Sequence, residues 1–317
     1  MAVLHDLRFQ RDKMQIRKLA EPAWRLVSIE LPSGRPTAAV QLPDRYVVPD
    51  CLGKYDGLMA GLEDWTVLHG KLRRADLQGA PTVLCQRLLM PLTYPRKVLC
   101  SGPNFHDHLS EMGETGLGEA WTSYFFLKPP TTTLIADGAP VLVSGDPAER
   151  PDWEGELAVV VGIGGRDIAL ADAMDHIAGY SVSNDISLRG PFRRDTPAKP
   201  FQWDWLAQKA ADTSLPLGPG IVPTWLIDDV QKLRLQTLVN GTIRQEGWTG
   251  NMVFGVAQLL AHASSQVTLE PGDVILTGTP AGVGAGRNEF LVPGDVVTVG
   301  IEGVGSISNP IERRGGQ

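Results

Sequence analysis

From about Lys97 to Pro310 the chain is a succession of short apolar runs: KVLCSG, PVLVS, GELAVVVGIG, HIAGYSVSNDIS, LRLQTLVNGTI, DVILTGTP and DVVTVGIEGVGSISNPI. Valine and isoleucine dominate these runs, and turns containing Gly separate most of them. Side chains branched at Cβ suit a pleated, half-buried surface, and glycine supplies the positive φ that tight turns require. Only GNMVFGVAQLLAHASSQ carries a helical period in this region. The pattern therefore argues against an alternating βαβ sheet and predicts an α+β, mainly β domain with a few helices. The 35 Gly and 24 Pro fall mostly between the runs, as a turn-rich, strand-rich fold requires. No internal repeat or low-complexity linker interrupts it.

The residues before this region read as a separate unit, so the expected division is a small N-terminal α/β domain over 1–92 and a larger domain over 93–317. WRLVSIELPSG and PTAAVQLPD alternate between apolar and polar residues and predict a pair of strands. Between Pro49 and Gly79 the apolar residues recur at helical spacing, which predicts one or two helices. This unit contains no reactive constellation and reads as a packing or dimerisation appendage.

Composition excludes several classes. A net charge of −7 leaves no basic face for general nucleic-acid binding, although Arg189, Arg193 and Arg194 could form a local pocket for a small anion. Cys51, Cys85 and Cys100 are odd in number and far apart, with neither a CxxC pair nor a disulfide framework. Reduced thiols in a cytoplasmic protein are expected. No stretch approaches the ~20 apolar residues of a membrane span, and MAVLHDLRFQRDKM lacks an apolar signal core.

The chemistry concentrates in carboxylates. In WEGELAVVVG, Glu154 and Glu156 stand two apart at the start of a strand, so they share one face. By spacing alone the pair suits a solvated strand edge better than a site. Asp185, at the end of the run YSVSND, adds a third acid where a buried strand meets a loop. Acids entering a buried strand repel one another and need a compensating cation. Three oxygen ligands suit Mg²⁺, Mn²⁺ or Ca²⁺ rather than Zn²⁺ and leave positions open for water and substrate.

Six segments between Lys97 and Pro310 together resemble the fumarylacetoacetate hydrolases and their acylpyruvate-hydrolase relatives. They are GPNFHDHLSEMG, FLKPPTTTLI, WEGELAVVVG, YSVSNDISLRG, QKAADTSLPLGP and LEPGDVILTGTPAGVG, in the family's order. The resemblance implies a mixed β-roll catalytic domain, a homodimer and a small 2-oxo or diketo acid substrate chelated by Mg²⁺ or another hard divalent ion at Glu154, Glu156 and Asp185. It implies that His108 and Glu111 activate water as a general base, with His106 a nearby rival. Lys209, ahead of a turn at SLPLGP, would stabilise an oxyanion or enolate and pair with Asp212. Lys128 would act near the metal through water, and Thr279 would face the substrate carboxylate. Gly278 would let the backbone approach the ligand. Arg189 either anchors a carboxylate or forms an ion pair that shapes its loop.

The implied reaction is C–C hydrolysis of an acylpyruvate or related β-diketo acid, in which the leaving carbanion delocalises as an enolate. The alternative is a 2-oxo acid decarboxylase, isomerase or hydratase using the same enolate logic. Two departures bear on substrate choice. Ala210 and Ala211 follow the lysine where the family often has Ser and an aromatic, and Asn104-Phe105 replaces the usual Asn-Tyr. PFRRDTPAKPFQWDWLAQ carries several aromatics beside the expected site and suits a bulkier or more apolar substrate.

Overall fold

The computed structural model describes residues 19–114, 121–196, 198–199 and 202–315. The N-terminal stretch MAVLHDLRFQRDKM lies outside the described residues. The fold is α+β and mainly strands, with a small N-terminal unit ahead of the larger one, as the spacing of apolar runs predicts.

The strand Gly155–Val161 organises the molecule. It pairs antiparallel with Ile177–Asn184 on one side and with Val274–Leu276 on the other. All seven of its residues are buried. Leu157, Val159 and Val161 belong to one apolar core, and Ala158 and Val160 to a second. Successive side chains on a strand point to opposite faces, so a strand covered on both sides reads as an uninterrupted apolar run.

The first core lies between this sheet and a five-stranded sheet holding Arg234–Val239, Thr242–Trp248, Val296–Ile301, Gly305–Arg313 and Val141–Val143. The second is closed by the helices Leu58–Glu63 and Trp65–Leu72, which contribute Leu58, Leu62, Trp65, Leu68 and Leu72. These are the helices expected between Pro49 and Gly79. The strands Arg25–Glu30 and Pro36–Gln41 form the expected antiparallel pair.

One expectation is corrected. SLPLGP does not turn the chain: Leu215–Pro223 is a nine-residue buried strand. It pairs with Ile177–Asn184 and, at Leu26↔Ile221, with the first N-terminal strand, so one 12-stranded sheet includes strands of both units. Its Pro and Gly residues suggest a turn locally, but the apolar neighbours Leu215, Leu217, Ile221 and Val222 bury the segment between two sheets' worth of packing. The few helices expected in the larger unit are Val256–Gln266 and the short segments His106–Glu111, Pro130–Thr133, Trp205–Lys209 and Gly284–Arg287. Segments of four to six residues are too short to display a period. No helix among the described residues is long and apolar enough to cross a membrane, and all three cysteines are free.

Candidate active site

The antiparallel register of the two central strands assembles the acids. Gly155 stands opposite Asn184, Glu156 opposite Ser183, and the Asp185 N–H donates to the Glu154 carbonyl at 2.8 Å. Glu154, Glu156 and Asp185 are buried, and each offers a carboxylate oxygen within 4.8 Å of the others. Gly155 between the glutamates is a packing requirement, since a Cβ there would lie 2.2 Å from Thr237 Oγ1.

Three cations surround the acids. Lys209 Nζ donates to Glu154 Oε2 and to Asp185 Oδ2, both at 2.8 Å. Lys128 Nζ donates directly to Asp185 Oδ1 and, at 2.9 Å, to the Ile186 carbonyl. Arg189 spans two acids, with Nε on Asp152 at 2.9 Å and Nη2 on Glu154 at 2.6 Å. Ser187 Oγ adds a 2.8 Å bond to Glu154. Burial pushes the Glu154 carboxyl up, but Lys209, Arg189 and their hydrogen bonds outweigh it and hold it at about 2. Burial lowers the Lys209 ammonium, yet Asp185 and Glu154 raise it further than burial lowers it.

Glu156 is the exception. It accepts the Gly278 N–H at 2.7 Å, and none of the three cations bonds to it. Burial first, and then the charges of Asp185 and Glu154, push its carboxyl well above the ordinary range. A hard divalent cation held by Glu154, Glu156 and Asp185 supplies the positive charge that this carboxylate needs, so the donor set fits such an ion. Gly278 makes its contact in a conformation that suits glycine, at φ +86°, where a Cβ would meet Asn104 Cβ at 2.9 Å.

His108 and Glu111 lie one turn apart on the helix His106–Glu111, and His108 Nδ1 stands 3.0 Å from Glu111 Oε2. The second Glu111 oxygen accepts the Gly282 N–H at 3.0 Å, which ties the helix to the loop after Val274–Leu276. Burial raises the Glu111 carboxyl, but His108 and the Gly282 amide together bring it below its usual value. A cavity of about 530 Å³ brings His108, Glu111, Glu154, Glu156, Lys209 and Thr279 to one surface. His106 is exposed and does not line it.

Several residues stand differently from expectation. Asp212 is exposed and makes no pair with Lys209, whose ammonium is already shared by Glu154 and Asp185. Lys128 touches Asp185 without an intervening water. Of the three clustered arginines only Arg189 lines the cavity, and its ion pairs hold its loop. The Thr279 hydroxyl donates to the Gly155 carbonyl at 2.9 Å and accepts from Gln245 Nε2 at 2.7 Å.

Three supporting residues were missed. Asp152 is fully buried and accepts from Trp153, Gly284 and Ala285 amides as well as from Arg189. It continues the i, i+2 series of Glu154 and Glu156 one step earlier, and that spacing was a signal. Gln245 Oε1 accepts the Gly155 N–H at 3.0 Å, and Ser187 bonds Glu154. Neither of these carried a local signal, because each acts across strands remote in sequence.

Glu154, Glu156 and Asp185 form a buried carboxylate cluster, flanked by Lys128 and Lys209, of a kind that could hold a metal ion. Residues 97–312 match the family described as fumarylacetoacetate (FAA) hydrolase, C-terminal. The chain belongs to the fumarylacetoacetate hydrolase family. It is 40% identical over 226 residues to the mitochondrial oxaloacetate tautomerase of Xenopus laevis, covering 71% of this chain and 68% of that protein. It is 37% identical over 229 residues to an oxaloacetate tautomerase of Bacillus subtilis, covering 71% and 73%. The crystal structure of a maleylpyruvate hydrolase from Sphingobium, in complex with manganese(II) and pyruvate, superposes with a TM-score of 0.71 at 28% identity, covering 92% of this chain and 100% of that one.

Proposed function

We propose that the protein is a metal-dependent isomerase of 2-oxo acids that interconverts their keto and enol forms. The similarity to two oxaloacetate tautomerases, from a frog and a bacterium, carries this reading over the hydrolytic one expected from His108 and Glu111. That pair serves tautomerisation equally well, because the reaction needs one base that takes a proton and returns it elsewhere.

A divalent ion, when bound, withdraws electron density from the 2-oxo group and acidifies the adjacent C–H. Glu154, Glu156 and Asp185 would hold it. His108, oriented through Nδ1 by Glu111, takes the C3 proton and delivers it to the carbonyl oxygen, so one C–H bond breaks and one O–H bond forms. Lys209 and Lys128 neutralise Glu154 and Asp185 and hold their carboxylates in place. Gly278 and Thr279 place backbone at the same surface.

The test follows the decay of the enol's ultraviolet absorbance for oxaloacetate and longer 2-oxo acids, with Mn²⁺ or Mg²⁺ present. Accelerated exchange with total 2-oxo acid conserved supports the reading. Release of pyruvate plus a second acid from an acylpyruvate makes the protein a hydrolase, and release of CO₂ makes it a decarboxylase. Hydrolysis is the second reading, favoured by the likeness to the pyruvate-bound maleylpyruvate hydrolase.

A further inference from the structure

The cavity has two unlike walls. One carries the acids and their cations. The other is aromatic: the rings of Phe126 and Trp205 stack with centroids 5.2 Å apart, and Tyr124 meets Trp205 edge-on at 6.0 Å. Phe192 packs 4.9 Å from Trp203 and 5.0 Å from Trp205. The two walls meet where Lys209 Nζ stands 5.0 Å over the Phe126 ring. Contiguous exposed apolar patches mark binding surfaces, and in this ring cluster Trp203 is 52% and Trp205 38% exposed.

We infer that the substrate is a 2-oxo acid whose far end is an aryl group, seated against Phe126, Phe192, Trp203 and Trp205. This rests on the 2-oxo acid reading above and names the substrate class for it. Three observations support an apolar tail over a second carboxylate. First, both cations lining the cavity, Arg189 and Lys209, are held on acids of the chain, and His108 is held on Glu111. Among the described lining residues no cation remains for a distal carboxylate. Second, about 530 Å³ is the size of a site for a drug-sized ligand and exceeds what a four-carbon acid fills. Third, the rings present both stacking and edge-on surfaces, which aromatic ligands favour over charged ones. Gln208, beside Lys209, is 1% exposed, lines the same cavity, and has its carboxamide oxygen buried with no partner among the described residues. It offers one acceptor to a bound occupant. The chemistry is unchanged, since C3 of an arylpyruvate loses and regains the same proton.

Phenylpyruvate and oxaloacetate separate the possibilities. With the Mn²⁺-loaded protein, the expected kcat/KM for enol–keto exchange is at least tenfold higher for phenylpyruvate, and Trp203→Ala lowers that ratio at least fivefold. Calorimetry should show phenylpyruvate binding at least tenfold tighter than pyruvate, with the difference lost in Trp203→Ala and in Phe192→Ala. Preference for oxaloacetate, or equal binding of phenylpyruvate and pyruvate, overturns the inference. Tight, Trp203-dependent binding of phenylpyruvate without turnover of either acid would retain the aryl wall and remove the isomerase reading instead. Circular dichroism of both variants excludes misfolding as the cause of any loss.

Discussion

Glu156 carries the least favourable charge in the site, because its neighbours are acids and its bond is a single amide. Replacing it with Gln removes a buried repulsion at nearly constant shape. The expected result is a metal-free protein with a higher Tm and a divalent-ion affinity at least ~100-fold weaker, read by thermal scans and calorimetry. A lower metal-free Tm would mean that Glu156 is solvated as a charge. Gln208→Leu gives a parallel case: removing an unpartnered buried amide oxygen should stabilise the free protein by about 1 kcal/mol while weakening ligand binding. The triad was legible only in combination: the spacing of Glu154 and Glu156 alone suits a solvated edge, and it was Asp185 at the end of a buried run, with the ordered family motifs, that pointed to a cation site. The partners of those acids were not. The motif resemblance pairs Lys209 with Asp212, three residues away, because a motif displays only what is near in sequence. Its real partners, Glu154 and Asp185, are brought to it by strand register.

At the scale of elements, the run from Leu157 to Val161 was legible as a buried strand, and the alternating N-terminal segments as a pair of strands. Leu215–Pro223 was not, because Gly and Pro signal a turn unless the surrounding sheet supplies the pairing. The short helix Trp205–Lys209 owes its start to Asp204, whose side chain accepts the Ala207 N–H at 2.9 Å. Gly155 sets how closely the two sheets approach beside the triad. Gly155→Ala should cost about 1–3 kcal/mol through overpacking against Thr237 and Val299. Thr237→Ala in the same chain should return part of that loss, measured by urea denaturation of the single and double variants. Simple additivity would place the strain elsewhere.

For the whole molecule, we propose the division between 92 and 93, close to where the family match begins at 97. The two units share a sheet at Leu26↔Ile221 and a core that joins Leu62 and Trp65 to Val160 and Val274. A fragment spanning 93–317 should therefore expose a strand edge and an apolar face, and sediment as aggregate or melt well below the full chain. A fragment with unchanged Tm would show that the shared core contributes little. Metal should act on the full chain by mass action. Mn²⁺ at ~100 times its Kd adds about 2.7 kcal/mol, a rise in Tm of about 5 °C, reversed by EDTA.

The acids sit at the ends of two neighbouring, fully buried strands, Glu154 just before Gly155–Val161, Glu156 within it and Asp185 just after Ile177–Asn184, whereas Phe192, Trp203 and Trp205 come from a segment that joins neither sheet. Variation therefore meets very different resistance at the two walls. A change among the acids disturbs two cores at once, while a change among the rings is absorbed locally. Such a scaffold can diversify what it accepts without renegotiating how it reacts, and a library confined to residues 192, 203 and 205 is where new selectivities would be found first.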